Sequence, residues 1–329
     1  MNLPPFRYLR ASDEKSALDA LATGDVALLA GGTNLVDLMR LGVSRPSVVV
    51  DMGRLPLARI DATADGLTLG AMARNSDVAY HPIVREQYPV LSEALLSGAS
   101  PQLRNLATVG GNLLQRTRCA YFRDVDNAAC NKRKPGSGCA AMEGWTRMHA
   151  VLGTSDSCIA AHPSDMCVAL AALDAVVHVR GPKGERAIPI ADFHTFPGEH
   201  PEVETMLARE ELIVSVTVPR TPFARRSRYV KARDRASYAF ALASCAACLE
   251  IEGGVVKQAR VALGGVATKP WRSVDAEREL FGKPPSAEAF LGAGEMAMRG
   301  ARVRPGVAFK VELGKRVVAR ALELAARMS

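Results

Sequence analysis

The middle of the chain contains a segment that a hydrophobic core does not explain. Residues 116–158 are rich in Cys, Arg, Lys, Asn and Gly and show little apolar periodicity, whereas the flanking sequence follows helix-like and strand-like patterns. Loops of this length are uncommon inside a compact domain unless they carry a function. We therefore expect something other than apolar packing to hold the segment. It contains four of the seven cysteines: Cys119, Cys130, Cys139 and Cys158.

These four cysteines are candidates for one shared metal centre. Four thiolates that come together can bind a [4Fe–4S] cluster or a zinc ion. Zinc fingers and ribbons usually take their ligands in CxxC pairs, and these four form none, so the spacing favours the cluster only mildly. Two disulfides or unpaired thiols stay open as alternatives.

The other cysteines and the histidines indicate no second centre. Cys245 and Cys248 form a CxxC, but they lie in an apolar run of small residues without a nearby charge that would lower a thiol pKa. Cys167 lies on a similar apolar stretch. The six histidines form no HExxH or other metal-ligand spacing, and no GxSxG motif occurs. We predict that these three cysteines pack in the core and that the chain is not an independent hydrolase.

The composition predicts a soluble globular protein. Of 329 residues, 48% are hydrophobic, and no apolar stretch reaches the roughly 20 residues that span a bilayer. The first ten residues lack the apolar region of a signal peptide, so any export would depend on a partner's signal. The net charge of +8 could suit nucleic acid, but only 5% of the residues are aromatic. So few aromatic side chains disfavour stacking on nucleic-acid bases. The phosphates of a dinucleotide or an acidic neighbouring subunit suit this charge better.

Local patterns predict alternating helices and strands, and hence an α+β fold. The predicted helices span 12–23, 35–41, 83–97, 166–174, 273–282 and 313–328, and the predicted strands span 26–30, 47–52, 176–181, 212–219 and 255–266. Residues 219–227 contain two prolines and three arginines, and we predict a domain boundary there.

Two glycine turns join strands to helices in the first part of the chain. AGGTNL at 30–35 and TVGGN at 108–112 let the backbone approach a ligand, and the helix that follows offers unpaired N–H groups. One such turn is more often only a tight connection. Two in one domain suit a dinucleotide held along its length, and neither has the GxGxxG pattern typical of nicotinamide cofactors.

Two charged residues have open roles at this point. Asp165, in HPSDM, either caps the following helix or accepts a ribose hydroxyl, and capping is the simpler interpretation. Lys231, in YVKARD, either is a solvated charge on a strand or serves a site.

These motifs together resemble the FAD-binding subunits of the xanthine oxidase and carbon monoxide dehydrogenase family. AGGTNL, TVGGNL, SDM, YVKAR and VALGGVA occur in the order of the family, and the resemblance covers essentially the whole chain. The sequence is most similar to the FAD subunits of three-subunit periplasmic molybdenum aldehyde oxidoreductases, in which the 116–158 insertion carries an extra [4Fe–4S] cluster. Flavin subunits of the benzoyl-CoA reductase branch also have a cluster loop, but the sequence around 150–166 fits the aldehyde branch better.

The resemblance implies a fold and its domains. Residues 1–222 are expected to form a two-lobed FAD-binding domain of the vanillyl-alcohol oxidase or PCMH type, with lobes at 1–60 and 61–222 and the iron-sulfur insertion at 116–158. Residues 223–329 are expected to form a small α+β domain like the C-terminal domain of the carbon monoxide dehydrogenase flavoprotein.

It also implies a set of site residues. The FAD pyrophosphate is expected to contact the two glycine turns, at Leu29, Ala30, Gly31, Gly32, Thr33, Asn34 and Leu35 and at Thr108, Val109, Gly110, Gly111 and Asn112. Further flavin contacts are expected at Asp165, Ile213 and Lys231, the last near the isoalloxazine. The expected cluster ligands are Cys119, Cys130, Cys139 and Cys158.

The function implied is electron transfer without a substrate-oxidising site on this chain. An aldehyde would be oxidised on a large subunit that binds the molybdenum cofactor, and electrons would pass through the [2Fe–2S] clusters of a small subunit to FAD and then to an external acceptor. The expected assembly is a periplasmic heterotrimer exported with a signal-bearing partner; a cytoplasmic location is the alternative. Other functions left open are a hydroxybenzoyl-CoA reductase-like flavin subunit, a self-sufficient flavin oxidase and a zinc-stabilised interaction protein without enzymatic activity.

Overall fold

A computed structural model describes residues 3–328 of the chain. Within them, the strands are β1 (Arg7–Arg10), β2 (Val26–Leu29), β3 (Val48–Asp51), β4 (Ile60–Thr63), β5 (Gly66–Gly70), β6 (Val176–Gly181), β7 (Gly184–Pro189), β8 (Leu212–Pro219), β9 (Ser227–Ala232), β10 (Ala243–Glu252), β11 (Val255–Gly264) and β12 (Trp271–Arg272). The helices are α1 (Glu14–Leu21), α2 (Leu35–Arg40), α3 (Asn75–Tyr80), α4 (Pro82–Gln87), α5 (Pro89–Ser97), α6 (Pro101–Arg104), α7 (Val109–Leu113), α8 (Ala120–Arg123), α9 (Asp165–Ala172), α10 (Ile190–Phe193), α11 (Val274–Leu280), α12 (Ala287–Ala297) and α13 (Phe309–Ala326).

The strands form three separate sheets. The first is parallel, with strand order β1-β3-β2, and its connections are helical, as a parallel crossover requires. The second has the order β4-β5-β8-β6-β7 and is antiparallel, with a bulge between His178 and Val179. The third, β12-β11-β10-β9, is also antiparallel. This mixture of helices with parallel and antiparallel sheets is the α+β class that the sequence predicts.

The longest buried strands show why two cysteines are structural. Along β10, Cys245, Ala247 and Leu249 face the core under α11, α12 and α13, whereas Ala246 and Cys248 face the core under α9. Because side chains alternate along a strand, Cys245 and Cys248 lie on opposite faces and cannot act as a pair. Both are fully buried, as the sequence predicts.

The helical pattern predicted at 83–97 forms two helices. Residues 83–97 are not a single helix, because the chain breaks into α4 and α5 at Tyr88, which precedes Pro89. Proline has no backbone N–H and disfavours a helical residue before it, so it begins α5 instead of continuing α4. The break turns α5 across the core, where it packs against α9 and β9.

The cysteine loop (residues 116–158) is irregular, in agreement with its sequence. Its regular structure consists of α8, of four residues, and a 3₁₀ turn at Ala140–Met142.

None of the helices in residues 3–328 is both long enough and apolar enough to cross a membrane.

Candidate functional site

The two glycine turns pack directly against each other. The first follows β2, and at Gly31 a Cβ atom would collide with the carbonyl oxygen of Leu106. Gly32, the next residue, has a φ of +71°, a left-handed conformation that glycine adopts without strain. Because Leu106 lies just before the second turn, this glycine contact joins the two turns into one surface.

The second turn begins helix α7. Thr108 is its N-cap, and its hydroxyl oxygen accepts a hydrogen bond from the Gly111 N–H at 3.2 Å. A Cβ on Gly110 would lie 3.2 Å from the Cβ of Ala71, so helix α7 packs closely against the residue that follows β5. The turn therefore presents its backbone at a fixed position beside the first turn.

A large cleft opens beside these turns. It encloses about 880 Å³, within the range of roughly 300–1,000 Å³ that is typical of small-molecule and cofactor sites. Six of the predicted site residues line it: Thr33, Asn34, Gly111, Asn112, Asp165 and Lys231.

The remaining predicted flavin residues are not on the wall of the large cleft. Most belong to the backbone of the two turns behind it: Leu29, Ala30, Gly31, Gly32, Leu35, Thr108, Val109 and Gly110. Ile213 is different, because it lies on β8 with its side chain in the hydrophobic core. Its flavin contact stays a prediction.

The cleft wall contains buried polar atoms without a partner. Asn34 Nδ2 and Asn75 Oδ1 are inaccessible to solvent and make no hydrogen bond in the structure, and both residues line the large cleft. A buried donor or acceptor left unpaired costs about 1–3 kcal/mol. A ligand rich in both donors and acceptors, such as a dinucleotide, fits this wall.

A buried ion pair lies at another part of the cleft. The Lys231 ammonium lies 2.8 Å from Asp165 Oδ2 and donates to the Ser97 carbonyl at 3.0 Å, and the lysine and aspartate side chains are 4% and 8% exposed. The Tyr229 hydroxyl donates to Asp165 Oδ1 at 2.7 Å. Burial, followed by the neighbouring Asp165, holds the pKa of Tyr229 well above its usual value, so it remains a donor.

This geometry excludes one of the two alternatives for each of these charged residues, and their flavin contacts stay predictions. The prediction that Asp165 caps α9 is wrong, because Ser164 is the N-cap and accepts from the Cys167 N–H at 3.0 Å. Ser164 in turn donates to Asn112 Oδ1 at 2.6 Å, which links α9 to the second glycine turn. Lys231 is not a solvated charge, since it is buried against Asp165.

Sequence reasoning missed a second charged group in the cleft wall. Asp37, on α2, pairs with Arg123 at 2.8 Å and with Arg118 at 3.2 Å. The hydrogen bond from Arg123 is the main cause that lowers the pKa of Asp37. One signal was present, because Asp37 lies three residues after Asn34 and shares its helix face. The arginines are 80 residues or more away in sequence and have no local motif.

The four predicted cluster cysteines come together. They all line one small cavity, which we call the thiol cavity. Cys119 precedes α8, Cys130 and Cys139 face each other across an isolated β-bridge, and Cys158 is buried. All seven cysteines of the chain are free thiols in the structure, so no disulfide holds the loop.

The spacing of these thiols fits a cluster better than a single ion. Tetrahedral zinc with Zn–S bonds of about 2.3 Å brings its sulphur atoms to about 3.8 Å from each other. Within residues 3–328, no three of the four thiols have their sulphur atoms all within 4.8 Å. A [4Fe–4S] cube spreads its four thiolates over four iron atoms and takes them further apart. Burial raises the pKa of Cys119 to about 12 and also raises the pKa of Cys139 and Cys158, so a metal centre bound here would have to supply the positive charge that stabilises them as thiolates.

The structure brings together one group that the sequence did not indicate. The ligand atoms of His162, Cys167 and His194 lie within 4.8 Å of one another. His194 donates from Nε2 to the Leu113 carbonyl at 3.0 Å, and His162 accepts at Nδ1 from the Ser164 N–H at 3.3 Å. These contacts leave an N–H at His162 Nε2 and a lone pair at His194 Nδ1, and both of these buried atoms are without a hydrogen-bond partner in the described part of the chain. Burial lowers the pKa of His194 to about 4 and that of His162 well below its usual value, in agreement with this arrangement.

The thiol cavity and the large cleft are close neighbours. A connecting cavity of about 170 Å³ is lined by Cys119 and His149 on one side and by Asp165 and Ser244 on the other. His149 Nε2 lies 3.2 Å from Cys119 Sγ. Cys119 therefore borders the thiol cavity, while Asp165, across the connecting cavity, borders the large cleft.

Known families and structures match this architecture over nearly the whole chain. Residues 4–221 match the model "FAD binding domain in molybdopterin dehydrogenase", and residues 228–325 match "CO dehydrogenase flavoprotein C-terminal domain". The aldehyde oxidoreductase FAD-binding subunit PaoB of Escherichia coli is 53% identical over 84% of this chain and 86% of its own length.

More distant relatives share the fold. The carbon monoxide dehydrogenase medium chain of Hydrogenophaga pseudoflava is 27% identical over 98% of this chain and 97% of its own length. A structure of carbon monoxide dehydrogenase from Hydrogenophaga pseudoflava superposes with a TM-score of 0.78 at 27% identity and covers 100% of both chains. The chain belongs to the FAD-binding subunits of the carbon monoxide dehydrogenase and xanthine oxidase family.

Proposed function

We propose that the chain is the subunit of a molybdenum-dependent aldehyde oxidoreductase that carries FAD and one [4Fe–4S] cluster and relays electrons. The observation that supports it best is the connecting cavity, which shares Cys119 with the thiol cavity and Asp165 with the large cleft. The 53% identity to an aldehyde oxidoreductase subunit supports the substrate class. In this proposal the aldehyde and water become a carboxylic acid on the molybdenum-binding partner, and two electrons and two protons leave that site.

FAD, when bound, supplies a carrier that exchanges electrons either singly or in pairs. The protein's own residues hold it. In the described part of the chain, the backbone N–H groups of residues 31–34 in the first glycine turn donate to no protein acceptor, which suits a pyrophosphate. The N–H groups of residues 109–112 donate within the protein, so the second turn supports the first by its packing. Asn34 and Asn75 offer an unpaired donor and an unpaired acceptor along the same wall. The Lys231 ammonium donates to Asp165 and to the Ser97 carbonyl, which leaves its third N–H to donate to a flavin atom in the cleft.

The [4Fe–4S] cluster would supply a one-electron carrier beside the flavin. Its proposed ligands are Cys119, Cys130, Cys139 and Cys158. The protein shields Cys130 and Cys158 from water, since they are only 7% and 6% exposed, whereas Cys119 and Cys139 are half-buried. The alternative of a zinc-stabilised interaction protein fits the sulphur spacing less well.

The proposed assembly is a heterotrimer. Its partners are a large subunit with the molybdenum cofactor and a small subunit with [2Fe–2S] clusters, and electrons leave to an external acceptor. We place it in the periplasm, exported with a signal-bearing partner, and a cytoplasmic complex is the alternative.

The function is tested by anaerobic rapid mixing with an aliphatic and an aromatic aldehyde. In the assembled complex, the visible flavin absorption is expected to bleach as the aldehyde is consumed. In the separately purified, FAD-loaded chain, the same aldehydes are expected to leave the flavin oxidised, because the oxidising site is on the partner. Reduction of the isolated chain by an aldehyde would contradict the relay role and favour a self-sufficient flavin oxidase.

A further inference from the structure

Arg118 lies between the two candidate cofactor sites and borders both. Its side chain lines the large cleft and the connecting cavity, and the next residue, Cys119, lines the thiol cavity. No other arginine in the described part of the chain lines both the large cleft and the connecting cavity. The guanidinium lies over the ring of Phe240, 5.3 Å from its centroid, and the side chain is 24% exposed. Its position is therefore fixed and largely shielded from solvent.

The local charges leave Arg118 as a surplus cation. Arg123 binds both carboxylate oxygens of Asp37. Its Nη2 donates to Oδ1 at 2.9 Å, and its Nη1 lies 2.8 Å from Oδ2. Arg118 reaches the same carboxylate at 3.2 Å. Two guanidinium groups thus share one carboxylate, which leaves one net positive charge in this wall.

Nearby acids do not remove this surplus. The other carboxylates that line the large cleft have cations of their own, since Asp165 pairs with Lys231 at 2.8 Å and Asp234 with Arg147 at 2.5 Å. A charge in a partly buried wall is screened by salt much less than one on the open surface. It therefore acts on whatever occupies the spaces on its two sides.

We propose that Arg118 is a positioning residue that raises the reduction potentials of both the flavin and the iron-sulfur cluster by placing one surplus positive charge in the wall between them. This inference rests on the proposed function. Reduction of either cofactor adds an electron, and a nearby cation stabilises the more negative product. A shared cation moves both potentials in the same direction, so the difference between them changes less than either potential does.

The test is a potentiometric titration of the assembled complex, with flavin and cluster followed separately by their spectra. Arg118→Met is expected to lower both reduction potentials. For each cofactor the equilibrium constant of reduction is expected to fall at least tenfold, which is about 59 mV for a one-electron couple. Asp37→Asn, which removes the shared carboxylate, is expected to raise both. Arg118→Lys keeps the charge and is expected to restore most of the loss. Arg85→Met, at an exposed arginine of α4 outside both cavities, is the matched control and should change neither.

Unchanged potentials in Arg118→Met with full flavin and iron content would overturn the inference, and so would a shift in only one cofactor. If that variant does not retain both cofactors, Asp37→Asn decides alone: raised potentials support the inference, and unchanged or lowered ones overturn it. A wild-type complex with flavin but no iron contradicts the proposed function itself, which separates the two failures.

Discussion

The charged side chain of Lys231 is buried in the protein interior, where the Asp165 carboxylate neutralises it. Breaking a buried ion pair from one side leaves an uncompensated charge and typically costs about 3–5 kcal/mol, whereas removing both charges costs much less. The pair therefore serves folding as well as the site. Its motif was visible in the sequence, but the partner was not, because 66 residues separate the two positions.

We expect Lys231→Met to lower the free energy of unfolding by about 3–5 kcal/mol. The double variant Lys231→Met with Asp165→Asn is expected to lose less, since no buried carboxylate is left without a counter-ion. Urea unfolding of the FAD-free chain measures both. A double variant that is less stable than the single variant would contradict the buried-pair account.

At Gly31 the absence of a side chain lets the two glycine turns pack against each other beside the cleft. Gly31→Ala would push a methyl group into the Leu106 carbonyl and force the two glycine turns apart, at a typical cost of about 1–3 kcal/mol. We expect weaker FAD binding, measured by quenching of flavin fluorescence. The control is Gly292→Ala on α12, where the nearest contact is a flexible glutamate side chain at 3.3 Å; it should leave FAD binding unchanged.

Lys310 is a second buried lysine, and no carboxylate within residues 3–328 pairs with it. Its ammonium donates to the carbonyls of His149 and Gly265 at 2.9 and 2.7 Å. Burial, assisted by the Arg147 cation and opposed by Asp234, lowers the pKa of Lys310 to about 7. The unfolded chain therefore binds this proton more tightly than the folded chain, and the stability contribution rises with pH between about 7 and 10.5.

We expect the stability of the wild type relative to Lys310→Met to increase between pH 7 and pH 9. The methionine variant leaves two buried carbonyls unpaired at every pH, so the change with pH isolates the titration of the lysine. Urea unfolding at the two pH values gives the difference. A constant gap would show that the pKa of Lys310 is not lowered.

At the scale of elements, the cysteine loop is held from two sides. Its last part joins the C-terminal domain through Lys310 and through a bridge between Leu152 and Ala267. Its first part packs beside α2, where Phe122 and Cys130 form a small apolar cluster with Leu38. These anchors position the four thiols around one cavity although little of the loop is helix or strand.

Loss of a single cysteine ligand should remove the iron-sulfur cluster without removing FAD. Cys139→Ser is expected to lose the iron-sulfur cluster and retain FAD, because Cys139 borders the thiol cavity and not the large cleft. Cys167→Ser, at a buried cysteine outside the thiol cavity, is the control and should retain iron. Iron analysis and flavin absorption of the purified proteins measure both. Equal iron content in the Cys139 variant and the wild type would remove this residue from the ligand set.

The accuracy of element prediction followed the strength of local signals. Strands with continuous apolar runs, such as β2 and β8, and the glycine turns were predicted well. Helix α13 begins at Phe309, four residues before the predicted start at 313, because its first turn lacks a side-chain cap that would mark it. Strand β1 and helix α12 were not predicted; β1 is short and mostly exposed, so its pattern is weak.

At the scale of the whole molecule, one hydrophobic core unites the two sequence-matched domains. Residues of the five-stranded sheet share this core with Tyr229, Ala246 and Ala262 from the C-terminal sheet. The large cleft is therefore built from both domains, with the glycine turns on one side and Lys231 on the other. The motifs identify the candidate residues, but their meeting depends on core packing between distant segments, which no local pattern encodes.

The central claim is that this chain holds a flavin and an iron-sulfur cluster side by side. Iron, sulfide, zinc and flavin content of the anaerobically purified chain, with its visible spectrum, tests it most directly. The account predicts about four iron and four sulfide per FAD, with zinc absent. Flavin with zinc and no iron, from cells that assemble other iron-sulfur proteins normally, would contradict it.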